Sequence, residues 1–323
     1  MGFRIQEAVA IAAVLFASLY SVSASPCKRK DKVSCRELGY EGAREPLELR
    51  RHLKKLVALG DSLTDDGIDE YAGDEHGMRI YTNGKIWTEH FLHLNDIDEL
   101  ENLAYGGATS GQNGLVYSNW TGLQYQVSEY LHDLRCAEEA DYRTLYVISI
   151  GTNDLWGLVT DPDALGRELV TKATARTVAA NVVQVMSRLV HEAKARRFVI
   201  MGCPALEHMP YFLTPQLAPV RPLLKQVSTN CRLVLSEAVR NYTAEHDELT
   251  VGEVALDDRL FELGKRHFPI VDTDLSAAHS AGNVSEDGMN RYFWYDGFHP
   301  SEGVYRILAK AFSCSIAAQI QNR

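Results

Sequence analysis

Short apolar runs bounded by polar or glycine-rich segments recur along the chain. "HLKKLVALG" (52–60), "TLYVISIG" (144–151), "RFVIMG" (197–202) and "LTVGEVAL" (249–256) predict strands, and "ENLAYGG" (101–107) predicts a short strand or turn. Between them the apolar period changes to that of a helix. In "NGKIWTEHFLHL" (83–94) Ile86, Trp87, His90, Phe91 and Leu94 fall near helical spacing, and 122–134 reads the same way. A long helical stretch over 163–196 carries Val178, Val182, Val185 and Leu189 on one face, and a further helix is expected over about 220–245. "CPALEHMP" (203–210) is a proline-broken loop, and a last helix begins after Pro300 with Ser301 as its cap. Apolar strands alternating with long helices predict one α/β domain, a three-layer α/β/α sandwich on a mainly parallel central sheet. In such sheets the loops at the strand ends build the ligand site.

The N-terminus adds a setting. Residues 1–24 place Arg4 before an apolar stretch from Ala8 to Leu19, with small residues Val22 and Ala24 beyond it. This predicts a secretory signal peptide cleaved after Ala24, since the apolar run is shorter than the roughly 20 residues of a spanning helix. A polar N-terminal arm (25–52) and a single folded domain (53–323) would follow. The mature chain is expected to be extracellular, with no membrane span, and monomeric. A formal net charge of −10 argues against a nucleic-acid partner. All six cysteines (27, 35, 136, 203, 231, 314) survive that cleavage, and Cys27 and Cys35 are close enough to close a small loop. None sits in C-x-x-C, so no metal is expected. Sequons at Asn119, Asn241 and Asn283 are possible N-glycosylation sites in a secreted chain.

Four loops have unusual composition: "GDSLTD" (60–65), "NLAYGGATS" (102–110), "GTND" (151–154) and "DGFHP" (296–300). Together and in this order they resemble the signature blocks of the GDSL esterase/lipase family, within the SGNH-hydrolase superfamily. "RIYTNGKIWTEHF" (79–91) is similar to the segment that secreted, lipase-like members carry between the first two blocks. The resemblance spans most of the mature chain and implies a flavodoxin-like sandwich and a serine ester hydrolase that needs no cofactor. It assigns Ser62 as nucleophile, His299 as base and Asp296 as the group that orients it. The oxyanion hole would be the N–H groups of Ser62 and Gly107 with the amide of Asn153. Counting five residues on from Asn102 selects Gly107 over Gly106. The chemistry is coherent, because ester hydrolysis requires a nucleophile, a base, an orienting acid and oxyanion donors.

Other features read as structural. The acidic run "DDGIDEYAGDE" (65–75) lacks the spacing of a calcium loop and is expected to be a solvated face. "HEAKA" at His191 is not H-E-x-x-H, "YGGATSGQNG" lacks G-K-[ST], and no G-x-S-x-G elbow is present. Trp156, Phe293, Trp294, Tyr295 and Phe298 crowd the last two blocks as candidate walls of a substrate pocket. Lipid-like or short-to-medium acyl esters are the expected substrates. O-acetyl groups on a polysaccharide are the alternative, and a binding protein that keeps the fold without turnover is the reading from a different class.

Overall fold

The apolar runs form five strands: β1 (Lys55–Gly60), β2 (Glu99–Asn102), β3 (Thr144–Ile150), β4 (Arg197–Gly202) and β5 (Thr250–Val254). All pair in parallel, in the order β2-β1-β3-β4-β5. β3 is buried along its whole length and β1 and β4 nearly so, which is why they read as continuous apolar runs. β2 is a half-buried edge strand of sequence ELEN, so its signal is weak; it starts at Glu99, two residues before the expected segment. The structure is a computed structural model that describes residues 33–41, 43, 49–67, 81–115, 121–136, 142–159, 168–280 and 286–321. The expected signal peptide, Cys27, Asn119 and Asn283 lie outside the described residues.

The helices are α1 (Trp87–Asn95), α2 (Leu123–Cys136), α3 (Thr152–Val159), α4 (Glu168–Glu192), α5 (Arg221–Ala244), α6 (Asp258–His267), α7 (Leu275–Ser280), α8 (Glu286–Met289) and α9 (Glu302–Gln321). Leu56, Ala58, Leu145, Val147, Val199 and Met201 point into a core shared with α1 and α9. Val57, Leu59, Tyr146, Ile148, Phe198 and Ile200 point to the opposite face, against α2, α4 and the second half of α5. This is the expected three-layer α/β/α sandwich. On α4, Val178, Val182, Val185 and Leu189 are all buried, as their spacing predicts. Among the described residues no helix is long and apolar enough to cross a membrane.

Three local readings change. Leu94 is exposed on α1, and Asn95 is buried in its place, donating to Phe91 O and Ser313 Oγ, each at 2.7 Å. Ser301 does not cap α9 with its side chain, which donates to Tyr292 O (2.7 Å). Asn83 Oδ1 accepts the Glu302 N–H instead (2.9 Å), so a distant loop satisfies the helix end. Cys35 does not pair with Cys27: it bonds Cys314 on α9, and Cys203 bonds Cys231 on α5. Val33, Cys35 and Leu38 are buried against the core, which carries Cys35 to the last helix across 279 residues of sequence.

The Cys35–Cys314 bond constrains the unfolded chain over that whole span. Replacing both cysteines by alanine is expected to lower stability by about 2–4 kcal/mol. The check is a lower urea midpoint with an unchanged native circular dichroism spectrum; an unmoved midpoint would show that the bond contributes nothing.

Candidate active site

The chain reverses its order of strand addition between β1 and β3, and the crevice at their carboxyl ends is where such sheets bind ligands. Ser62 sits there, two residues past β1. Its turn is held by backbone bonds: Asp61 N–H to Ser149 O (3.2 Å), and the N–H groups of Thr64 and Asp65 to Asp61 O (2.9 and 3.0 Å). A Cβ on Gly60 would stand 2.2 Å from Ser149 O, so only glycine lets β1 enter the turn this close to β3. Trp87 Nε1 donates to Thr64 Oγ1 (3.2 Å), which fastens the turn to α1.

The "DGFHP" loop is folded around one carboxylate. Asp296 Oδ1 accepts the N–H groups of Phe298 (2.8 Å) and His299 (2.7 Å), and Asp296 Oδ2 lies 2.7 Å from His299 Nδ1. Burial pushes the Asp296 carboxyl up, but the imidazole's hydrogen bond and charge and the two N–H donors outweigh it. Its pKa falls below the usual carboxylate range. An ionised carboxylate only accepts, so the imidazole proton sits on Nδ1 and Nε2 is left as an acceptor. Ser62 Oγ is 2.7 Å from that Nε2 and donates to it. Asp296, His299 and Ser62 thus form one continuous hydrogen-bonded series, an arrangement able to draw the proton off a serine hydroxyl.

Opposite this series stand Gly107 and Asn153. Gly106 gives its N–H to Asp65 Oδ2 (2.6 Å), whereas Gly107 turns with φ +79°. Among the described residues the N–H groups of Ser62 and Gly107 have no hydrogen-bond partner. Asn153 Nδ2 donates to Ala108 O (2.9 Å), which orients an amide whose NH₂ carries a second hydrogen. Ser62, Gly107, Asn153 and His299 line one cavity of about 240 Å³. All five residues singled out from sequence therefore meet at one place.

Leu63, Tyr81, Gly106, Thr152, Trp156 and Phe298 complete the cavity wall. Trp156 and Phe298 were expected there. Phe293 and Trp294 are instead fully buried core, Phe293 against Phe261, and Tyr295 donates its N–H to His299 O (2.7 Å). Tyr81 and Thr152 were not singled out, although Tyr81 lies in the quoted "RIYTNGKIWTEHF" segment and Thr152 in "GTND"; the Tyr81 ring centroid is 4.7 Å from that of His299. Asp65 corrects the expectation of a solvated acidic face: it is buried, and its two oxygens take the N–H groups of Gly67 and Gly106. Residues 68–75 of that run lie outside the described residues. Ser110 is fully buried, its hydroxyl bonded to Asp154 (2.6 Å), so it braces the glycine loop against α3 and faces no substrate. Asn241 is exposed on α5.

The sequence profile of the GDSL-like Lipase/Acylhydrolase family matches residues 56–312, which takes in all but the first residue of β1, every loop of the site and the first half of α9. The chain belongs to the GDSL-like lipase/acylhydrolase family. Among this GDSL chain's relatives, the thermolabile hemolysin of Vibrio parahaemolyticus serotype O3:K6 is 24% identical over 280 residues, 80% of this chain and 62% of its own length. The GDSL chain thus spans less than two thirds of that curated relative. Similar solved structures include an acetylxylan esterase from Geobacillus stearothermophilus, 17% identical with a TM-score of 0.41 over 81% of this chain and 94% of that one. A carbohydrate acetylesterase from Sinorhizobium meliloti is 15% identical, with a TM-score of 0.44 over 82% and 99% of the two chains.

The first GDSL block also carries a stability cost. Asp61 is wholly buried, and burial pushes its carboxyl up to about 6, against the pull of the Leu63 N–H and Thr152. The folded chain therefore holds this proton more tightly than the unfolded chain does. The resulting stabilisation is complete below the ordinary value of 3.8 and is lost as pH rises through about 6. The difference is on the order of 3 kcal/mol. Asp61→Asn, uncharged throughout, should gain stability relative to the parent between pH 4 and 7 in paired thermal melts. A constant difference across that range would refute the assignment.

Proposed function

We propose that the protein is a secreted serine carboxylesterase in which Ser62, His299 and Asp296 act as a triad. One observation carries the reading: the unbroken series from Asp296 through His299 to Ser62, with the hydroxyl opening onto a cavity. Ser62 Oγ attacks the ester carbonyl as His299 Nε2 takes its proton, and Asp296 stabilises the imidazolium that forms. The N–H groups of Ser62 and Gly107 and the amide of Asn153 receive the developing oxyanion. Collapse breaks the ester C–O bond, and His299 returns its proton to the departing alcohol. Water, deprotonated by the same imidazole, then hydrolyses the acyl-enzyme.

The size of the cavity bears on the substrate. At about 240 Å³ it lies below the usual range for drug-sized ligands, and Leu63, Trp156 and Phe298 supply apolar walls. Short-to-medium acyl esters fit these dimensions. A second reading, an O-acetyl group on a polysaccharide, draws support from Tyr211: it is 41% exposed, and its ring packs 4.8 Å from Phe298 and 4.7 Å from Trp156. Such a surface suits the face of a sugar ring. Secretion is supported by the two disulfides and the signal-like N-terminus, and the exposed Asn241 is the proposed glycan acceptor among the described residues.

A fluorophosphonate probe should label the protein, and Ser62→Ala should remove both the label and turnover of a p-nitrophenyl ester series while the melting temperature holds. Unchanged labelling of the variant would assign the chemistry to another serine, and no labelling of the parent would favour a binding protein. Turnover confined to acetyl esters and acetylated xylan would select the second substrate reading.

Asn153→Ala should lower kcat by about 10²–10³ with KM nearly constant, because the amide bonds an oxyanion more strongly than a carbonyl. A change in KM alone would make Asn153 a binding residue.

A further inference from the structure

A second cluster of ionisable groups lies at the same edge of the sheet, past the ends of β4 and β5. Glu207 and His208 occupy the 3₁₀ turn Leu206–His208, and Asp258 opens α6. A carboxylate oxygen of Glu207, a ring nitrogen of His208 and a carboxylate oxygen of Asp258 all lie within 4.8 Å of one another. Glu207 is 4% exposed, and among the described residues it alone has both carboxylate oxygens buried without a hydrogen-bond partner. Arg221 does not relieve it, since its Nε donates to the Glu207 backbone carbonyl (3.2 Å). Buried carboxylates are normally paired or coordinate a metal, because an unpaired one loses its hydration with nothing in return.

We propose that Glu207, His208 and Asp258 bind one divalent cation of the zinc type, at a site separate from Ser62. One imidazole and two carboxylates suit a borderline cation such as Zn²⁺, with water as the fourth ligand. A hard cation such as Ca²⁺ prefers an all-oxygen shell. His208 Nε2 now lies 2.6 Å from Asp258 Oδ1. Metal entry exchanges that hydrogen bond for two metal–ligand bonds, the ring carrying its proton on Nδ1 instead. Stacking on Phe261, with centroids 3.9 Å apart and planes 5° from parallel, fixes the ring plane. The opposing charges are Arg221, held on the Glu207 backbone carbonyl, and Lys225, whose Nζ holds Asp258 Oδ2 (2.7 Å) and leaves Oδ1 to the metal; the Lys225 side chain is 55% exposed and free to withdraw into water.

The consequence reaches the ester cavity through the chain itself. The turn runs on into Pro210–Leu213, where Tyr211 donates its N–H to Gly297 O (3.0 Å) beside Phe298. A cation here would stiffen the segment that backs the cavity wall, and its binding is measurable without any hydrolysis.

The test uses the full chain, stripped with EDTA and titrated with ZnCl₂ by calorimetry and thermal melts. One equivalent should bind at about micromolar affinity or tighter and raise the melting temperature, while Ca²⁺ at the same concentration should not. Glu207→Gln and Asp258→Asn should each weaken binding at least tenfold, and Lys225→Met should strengthen it. Should Glu207→Gln fail to fold, the half-exposed Asp258 gives the same test. Absence of stoichiometric zinc binding, wild-type affinity in either acid variant that folds, or equal stabilisation by Ca²⁺ would overturn the proposal.

Discussion

Because β1 lies parallel to β3 with Gly60 opposite Ser149, both strands leave the sheet at the same edge, one residue out of step. That register sets Ser62, in the turn after β1, beside Asn153, in the first turn of α3, before any side chain is considered. β2 on the other side of β1 delivers Gly106 and Gly107 to the same crevice, where Tyr105 N–H bonds Gly60 O (3.1 Å). Only His299 arrives from elsewhere. It comes on a loop whose shape is imposed by its own Asp296 and whose far end is fixed by Asn83 at the start of α9.

Two buried acids and one half-buried one hold this site in place. Asp61 organises the turn that presents Ser62, Asp65 joins that turn to the glycine loop, and Asp154 joins the same loop to α3 through the N–H and hydroxyl of Ser110. Burial raises the Asp154 carboxyl, while its Ser110 bonds act in the opposite sense. Each acid exchanges hydration for fixed backbone donors. The site is therefore held in shape before a substrate enters, which is the condition for electrostatic stabilisation to be effective.

Much of this was legible in the chain. β1, β3 and β4 are almost continuously apolar because both sheet faces are covered, and α4 keeps helical spacing because one face meets the sheet. That Ser62, Gly107, Asn153, Asp296 and His299 come together was legible because each lies in a short local block. Other parts depend on distance. Asp65 reads as one acid of a charged run until the Gly106 N–H meets it, and Ser301 reads as a cap until Asn83 takes that role. Tyr81 and Thr152 lie inside quoted segments but are not distinguished there from their neighbours, and Tyr211 carries no local mark, since the fold alone brings it to the backing of the cavity. Proximity in sequence likewise misdirected the pairing of Cys35, whose partner is near only in space.

That last bond gives the molecule a covalent property beyond folding energy. With Cys35 joined to Cys314, the backbone between them is a closed ring in all but name. A protease that cuts any loop inside the ring produces two polypeptides that remain one molecule. Ser62 and His299 both lie within it, so a cut anywhere between them leaves the two halves of the site tethered through the core. For such a chain, nicking and loss of the fragment become separate events.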